Sequence, residues 1–288
     1  MEYWYKYWLD PLQTGIIDVS IDRQFEEHAR TLDGFEACEA YRTSESFFRK
    51  YFYGYQNGRL EHYDRFIRRR LRKDQDILSV GSGRCANELF LMENGYRVTC
   101  SDLCWTDTHG MTRRIFPAFR FLELDILKNP PPRRVDAVLS LSLIYLFDHE
   151  RLLTFFRHVV QGLNPGGHFV LDSAGAPDNL LSTCIHDILL PAETFARRGM
   201  KWILSRKCDG LIRKHHGYRR TDMEIVEAAR ACGLRLVDCE TASFTSEFRR
   251  SRFLAGIMGL HPRIERLFAL AGRHVPYIRM FDFEKSRS

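Results

Sequence analysis

The run Asp76-Ile77-Leu78-Ser79-Val80, stopped at once by Gly81, constrains this chain more than any other feature. A short apolar run cut off by glycine reads as a strand buried on both faces, and such strands belong to parallel sheets covered by helices. The chain that follows has the same texture. The pattern predicts a helix over 86–94 closed by Asn94-Gly95 and a strand over Tyr96–Ser101. Further strands fall at 118–124, 135–142 and 167–172, with a helix over 148–163 before the last. In that helix Leu152, Leu153, Phe156, Val159, Val160 and Leu163 recur at helical spacing, so one stripe faces a sheet, and Asn164-Pro165-Gly166-Gly167 ends it. Later, Thr221 and Glu224 form a capping box opening a helix to Cys232. Strands at Leu234–Glu240 and Tyr277–Phe283 follow. Strands alternating with helices specify an α/β, doubly wound, mostly parallel sheet, whose ligands bind beyond the carboxyl ends of the strands.

The first such end carries Gly81-Ser82-Gly83-Arg84-Cys85-Ala86, and Asp102 ends the next strand. Glycines admit a ligand close to the backbone, the helix N-terminus offers N–H groups, and a carboxylate there accepts from ribose hydroxyls. This points to a nucleoside cofactor. The loop by itself fits a dinucleotide as well as S-adenosylmethionine, or a plain tight turn. The later strands separate these readings. Asp125 ends the third strand, placed to accept from an adenine amino group. The fourth runs Val135 to Ser140-Leu141-Ser142-Leu143, and the helix after it closes in Leu163-Asn164-Pro165-Gly166-Gly167.

In this ordered set the sequence resembles the class I S-adenosylmethionine-dependent methyltransferases, well over residues 75–175 and more loosely over Tyr218–Glu240. The resemblance implies a seven-stranded Rossmann-like sheet with a helical N-terminal lid and helical insertions. It implies S-adenosyl-L-methionine as cofactor, held by Ser79, Gly81, Ser82, Gly83, Asp102, Leu103, Asp125, Ile126, Ser140 and Leu141. Two positions depart from the family pattern. Ser79 stands where an acid is usual, so either another acid substitutes or affinity is weak, and Cys85 stands where a third glycine is usual. Asn129-Pro130-Pro131-Pro132 looks like the Asn-Pro-Pro-aromatic motif of amino-methylating enzymes. It precedes the fourth strand instead of following it, and reads as a loop.

Methyl transfer from a sulfonium requires an acceptor atom held in line with the methyl carbon, water excluded, and a hydroxyl acceptor deprotonated. The candidate catalytic residues are Tyr145, after the fourth strand, and His215 and His216, before the capped helix. Tyr41, Tyr51, Tyr145, Tyr218 and Arg219 are the candidate substrate contacts. Each also has a plain reading, as a packed aromatic or a solvated loop residue. No metal site is assigned, because the eight cysteines include no CxxC and Cys100 with Cys104 lack a nearby His pair.

Composition adds the surroundings. The 288 residues read as a lid or cap over 1–73, a cofactor-binding half-sheet over 74–175, and a substrate-side region over 176–288. Of the 37 aromatics, 14 lie in the first 55 residues, as a lid, packed helices or an interfacial anchor would have them. The net charge of +6 divides into −4 over 1–196 and +10 over 197–288. Arg197–Arg220 carries nine basic residues against Asp209, and is read as a basic amphipathic helix. Such a field suits an anionic partner. The expected partner is a small molecule, with peripheral membrane contact a further option. Nucleic acid is disfavoured for want of a recognisable binding module. Free thiols and the absence of a signal-like start lead to the expectation of a cytoplasmic protein. The leading function is methylation of a small anionic acceptor on oxygen, whether a metabolite, a glycan or a lipid-linked intermediate. An RNA or protein methyltransferase and a non-catalytic domain that has lost its cofactor are the alternatives.

Overall fold

The computed structural model describes residues 2–10, 16–19, 59–83, 85–105, 107–174, 176–189, 192–193, 196, 210–242, 248, 251–272, 274 and 278–287. For 2–10, 16–19 and 210–216 the description is of the backbone. The chain divides into two compact units, one of residues 28–173, 225–240 and 280–288, the other of 1–27, 174–224 and 241–279.

The first unit is built on a seven-stranded sheet. Its strands are β3 (Asp76–Val80), β4 (Arg97–Asp102), β5 (Arg120–Glu123), β6 (Val135–Ser140), β7 (Leu163–Ala174), β9 (Leu234–Ala242) and β10 (Ile278–Lys285), numbered in chain order with the strands of the second unit. The order across the sheet is β5-β4-β3-β6-β7-β10-β9. Pairings β3–β4, β3–β6, β4–β5 and β6–β7 are all parallel. The order reverses at β3, and this puts the ends of β3, β4 and β6 side by side: Ser79 pairs with Cys100 on one side and Leu139 on the other. A reversal of this kind opens a crevice at the carboxyl ends.

Helices α1 (Arg59–Arg70), α2 (Ala86–Glu93), α3 (Asp107–Ile115), α4 (His149–Gly162) and α5 (Asp222–Ala231) join or flank these strands. Of the apolar stripe read in 148–163, Leu152, Phe156, Val159 and Leu163 are fully buried while Leu153 and Val160 are half-buried, and Phe155 joins the buried face. Phe156 and Phe169 meet edge-on at 5.8 Å, and Phe169 lies 6.4 Å from Phe283. Each buried ring contributes about 1.5–3 kcal/mol. The Asp148 side chain accepts from Arg151 N at 2.8 Å and so starts α4. Within Asn129-Pro130-Pro131-Pro132 the packed residue is Pro131, while Asn129 and Pro132 are exposed. Pro131 is buried so tightly on Gly162 of α4 that a Cβ there would lie 2.4 Å from the proline ring.

The second unit holds a three-stranded sheet, β1 (Glu2–Asp10), β8 (Gly210–Arg219) and β2 (Ile16–Val19). β8 runs antiparallel to β1 and parallel to β2. This corrects two helical expectations. Residues 2–10 are strand because Tyr3, Trp4, Tyr5, Tyr7 and Trp8 are strand-favouring side chains. Residues 210–219 are strand instead of basic amphipathic helix. Gly210 and Gly217 disfavour a helix, and Gly217 takes φ 147°. Trp4 pairs with Gly217 and Tyr5 with His215, leaving His216 as the extra residue of a bulge. Residues 11–15 and 20–58 of the expected helical lid lie outside the described residues. Helices α6 (Arg252–Leu260) and α7 (Pro262–Gly272) complete the unit, with Met258 and Leu254 packed on Phe248 and Phe268. The capping box is present: Thr221 N donates to Glu224 Oε2 at 2.9 Å and Glu224 N to Thr221 Oγ1 at 3.2 Å. Among the described residues no helix is long and apolar enough to cross a membrane.

Candidate cofactor site

Buried Ile77, Leu78, Ser79 and Val80 anchor β3 in the sheet, and the chain leaves it through Gly81 at φ 67°. A Cβ on Gly81 would lie 2.8 Å from Leu143 of the loop after β6, so glycine lets these two loops meet. Ser82 turns back to β4, its N and Oγ both donating to the Ser101 carbonyl at 2.9 and 3.1 Å. Gly83, at φ 51°, donates its N–H to Asp102 Oδ2 at 2.7 Å. Among the described residues nothing lies within 4 Å of where its Cβ would be, so this face of the loop is open to them. Asp102 Oδ1 accepts from Leu103 N at 2.7 Å. Each oxygen keeps a second lone pair. The carboxylate is thus fixed at the strand end with capacity for vicinal hydroxyls.

The departure at Cys85 has a conformational basis. Cys85 precedes α2 in the left-handed region, φ 60° and ψ 26°, where glycine is unstrained and another residue costs about 1 kcal/mol. Its side chain is fully buried. Burial pushes the thiol up, but hydrogen bonds from Cys100 and His109 outweigh this and hold it at about 6. Burial lowers His109, and its bond to Cys85 more than restores it, for a net rise. His109 Nε2 donates to the Gly83 carbonyl at 2.8 Å, tying α3 to the loop.

The departure at Ser79 is met from α2. Ser79 Oγ donates to Glu88 Oε1 at 2.6 Å, with both side chains buried. Burial, reinforced by Cys85, pushes the Glu88 carboxyl up to about 8. Sequence reasoning missed this acid. The only signal for it was a charged residue within the inward stripe of a short helix.

The third strand end carries Asp125, whose Oδ1 accepts from Leu127 N at 3.1 Å and whose Oδ2 pairs with Lys128 at 3.0 Å. Ile126 is buried, and its carbonyl accepts from His158 Nδ1 at 2.6 Å. His158 is thereby structural, bracing the Asp125 turn from α4. Leu103 is exposed beside Asp102. Next to it Trp105 is 36% exposed, packed 5.3 Å from Phe121 and beneath Arg113 at 4.5 Å.

At the fourth strand end Ser140 and Leu141 are buried, and Ser140 Oγ has no hydrogen-bond partner among the described residues. Ser142 takes φ 56°, held by Asp172 Oδ1, which accepts its N–H at 2.5 Å. Asp172 Oδ2 accepts from Tyr63 Oη, also at 2.5 Å. Both Asp172 and Tyr63 escaped the sequence reading, although an acid ending the fifth strand was a usable signal. Tyr145 lies half-buried in the turn Ile144–Leu146.

The structure therefore gathers Ser79, Gly81, Ser82, Gly83, Asp102, Leu103, Asp125, Ile126, Ser140, Leu141 and Tyr145 onto the strand ends of one unit. His215, His216, Tyr218 and Arg219 belong to β8 of the second unit. There Arg219 and Arg220 are buried, and Arg220 lies over the Tyr218 ring at 5.6 Å. Tyr41 and Tyr51 lie outside the described residues. Among the described residues no group of three or more His, Cys, Asp or Glu is placed to hold a metal ion.

No family model matches this chain, and no curated protein matches its sequence. Solved structures match its fold. The [4+2]-cyclase SpnF aligns at TM-score 0.53 with 14% identity, covering 81% of this chain and 83% of that one. The geranyl diphosphate C-methyltransferase of Streptomyces coelicolor A3(2), solved with Mg2+, geranyl diphosphate and S-adenosyl-L-homocysteine, aligns at 0.51 with 14% identity, covering 86% and 88%. Magnesium protoporphyrin IX methyltransferase (ChlM) of Synechocystis PCC 6803, with bound SAH, aligns at 0.50 with 10% identity, covering 86% and 97%. Strand order, glycine loop and these alignments together define the class: the fold is that of the class I S-adenosylmethionine-dependent methyltransferases.

Proposed function

We propose that this chain is an S-adenosylmethionine-dependent methyltransferase acting on a small molecule. The observation that carries the reading is the glycine loop bonded to Asp102, with the Gly83 face open beside it. The residues fit the cofactor. Asp102 retains lone pairs for the ribose, Asp125 and the exposed Leu103 suit the adenine, and the backbone at Gly81 and Gly83 admits close approach. Bound there, the cofactor supplies an activated methyl on a sulfonium. The chain's task is then to bind it, aim the acceptor and keep water out. Tyr145, on the turn after β6, is proposed to orient the acceptor hydroxyl.

The finer reading is O-methylation of an anionic acceptor. It is supported by the +10 charge of residues 197–288. Fold likeness does not separate methyl transfer from other chemistry, since one matching structure is a cyclase. Binding and turnover must do so. Saturating S-adenosylmethionine or its demethylated product, at about 100 times Kd, is expected to stabilise the protein by about 2.7 kcal/mol. Asp102→Ala is expected to remove the effect. No stabilisation by either ligand would sink the reading. Metabolite extracts supplied with a labelled methyl donor identify the acceptor by the mass it gains.

A further inference from the structure

Helix α2 turns one charged side chain inward. Glu88 is 2% exposed, and while Oε1 accepts from Ser79, the equally buried Oε2 has no hydrogen-bond partner among the described residues. Ser79 is the residue two before Gly81, so the pair lies at the root of the glycine loop. A buried carboxyl with an idle oxygen is costly, and native structures rarely keep one without use. Its charged neighbours offer no relief. Cys85 and Asp102 both act as like charges, and burial pushes the group up in the same direction. Among the described residues no cation acts on the carboxyl, and a ligand can bring one. An ammonium reaching Oε2 makes a charge-assisted hydrogen bond, roughly twice as strong as a neutral one. Asp102, bonded to Gly83 on the same loop, is suited to the nucleoside end of such a ligand, leaving the root of the loop for its other end.

We propose that Glu88 and Ser79 form the subsite for the ammonium of the cofactor's amino-acid portion, with the Glu88 carboxylate as acceptor and the Ser79 hydroxyl as the group that aims it. The inference rests on the cofactor reading above. It assigns the acid to a helix, one loop away from the strand residue it serves. Glu88 Oε1 is occupied by Ser79, so the ammonium falls to Oε2, and replacing the carboxylate by an amide of the same shape removes the charge while leaving an oxygen for Ser79.

Titration calorimetry on the full chain tests this with two ligands, S-adenosylhomocysteine and 5′-methylthioadenosine, which share the adenosine and differ in the amino-acid portion. Glu88→Gln is expected to weaken S-adenosylhomocysteine by at least about tenfold while 5′-methylthioadenosine stays within about twofold. Ser79→Asp combined with Glu88→Ala, which returns the carboxylate to the strand, is expected to recover most of the loss seen in Glu88→Ala alone. Three results overturn the proposal: Glu88→Gln binding S-adenosylhomocysteine like the unaltered protein, equal losses for both ligands, or a double variant of unchanged Tm with no recovery. Equal losses assign Glu88 to holding the loop. An unaltered protein that binds neither ligand removes the cofactor reading and this inference with it.

Discussion

Asp172 holds the backbone amide of Ser142 across the ends of β7 and β6, at 2.5 Å, and its other oxygen takes the Tyr63 hydroxyl. One buried carboxylate thereby fixes both the loop after β6 and the face of α1. Replacing it by alanine removes the acceptor of the buried Tyr63 hydroxyl and releases a non-glycine residue held at φ 56°. The expected loss is about 2–4 kcal/mol in urea unfolding. Ser142→Gly relieves the backbone instead and is expected to be neutral or stabilising by up to about 1 kcal/mol. Loss of stability in Ser142→Gly would contradict the strain argument.

Gly83 separates stability from ligand binding. Its φ of 51° makes Gly83→Ala cost about 1 kcal/mol, and among the described residues no atom lies within 4 Å of the new Cβ. That Cβ projects into the open face proposed for the cofactor. The variant is expected to fold with Tm lower by a few degrees and to bind S-adenosylhomocysteine at least about tenfold more weakly. Wild-type affinity in a folded Gly83→Ala would move the cofactor away from this loop.

The parts legible in the sequence are those set by local pattern. Buried strands stopped by glycine, the stripe on α4 and the capping box at Thr221 lie within a turn or two of their own signals. β6 and α4 accordingly fall within about two residues of expectation. Asp102 and Asp125 were legible because a carboxylate at a parallel strand end has a ligand-binding meaning by position alone. What escaped depends on distant pairing. Tyr63 and Asp172 are 109 residues apart, and neither announces the other. β1 finds its partner in β8, some two hundred residues on, and periodicity cannot supply a partner. Glu88 escaped because a single acid in a short helix reads as a solvated face until Ser79 is seen beneath it.

Pro131 and Gly162 give a test of the loop that imitates a catalytic motif. A methyl on Gly162 would lie 2.4 Å from the Pro131 ring. Gly162→Ala overpacks this contact and is expected to cost about 1–3 kcal/mol despite alanine's better helix propensity. Pro131→Ala makes room, so the double variant is expected to recover most of the loss, a coupling read from a double-mutant cycle of thermal unfolding. Asn129→Ala is expected to leave methyl transfer unchanged, since this loop precedes β6 and its packed residue is Pro131. Strong loss of turnover in folded Asn129→Ala would restore the catalytic reading.

Glu88 also gives stability a pH dependence of definite sign. Its carboxyl is raised from 4.5 to about 8 by burial first and by Cys85 second. Below about pH 4.5 the group is protonated folded and unfolded alike. As pH climbs from there to about 8, only the unfolded chain ionises, so the folded state loses ground, and above 8 the loss is complete. Among the described residues Asp102, Cys85 and Cys100 are the titratable groups that act on it or feel it, with His109 bonded to Cys85 behind them, and they stay in place when Glu88 alone is changed. The difference between Glu88→Gln and the unaltered protein therefore reports Glu88 together with its coupling to Cys85. Urea unfolding at pH 5, 6.5 and 8 is expected to show the variant gaining on the wild type at each step, by a few kcal/mol over the range. Parallel pH profiles would mean that Glu88 ionises as easily in the fold as in water. The same linkage reaches the ligand. An ammonium at Oε2 favours the carboxylate, so binding S-adenosylhomocysteine near pH 7 is expected to release close to one proton in the wild type and clearly less in Glu88→Gln. Calorimetry in buffers of different ionisation enthalpy reads that number directly.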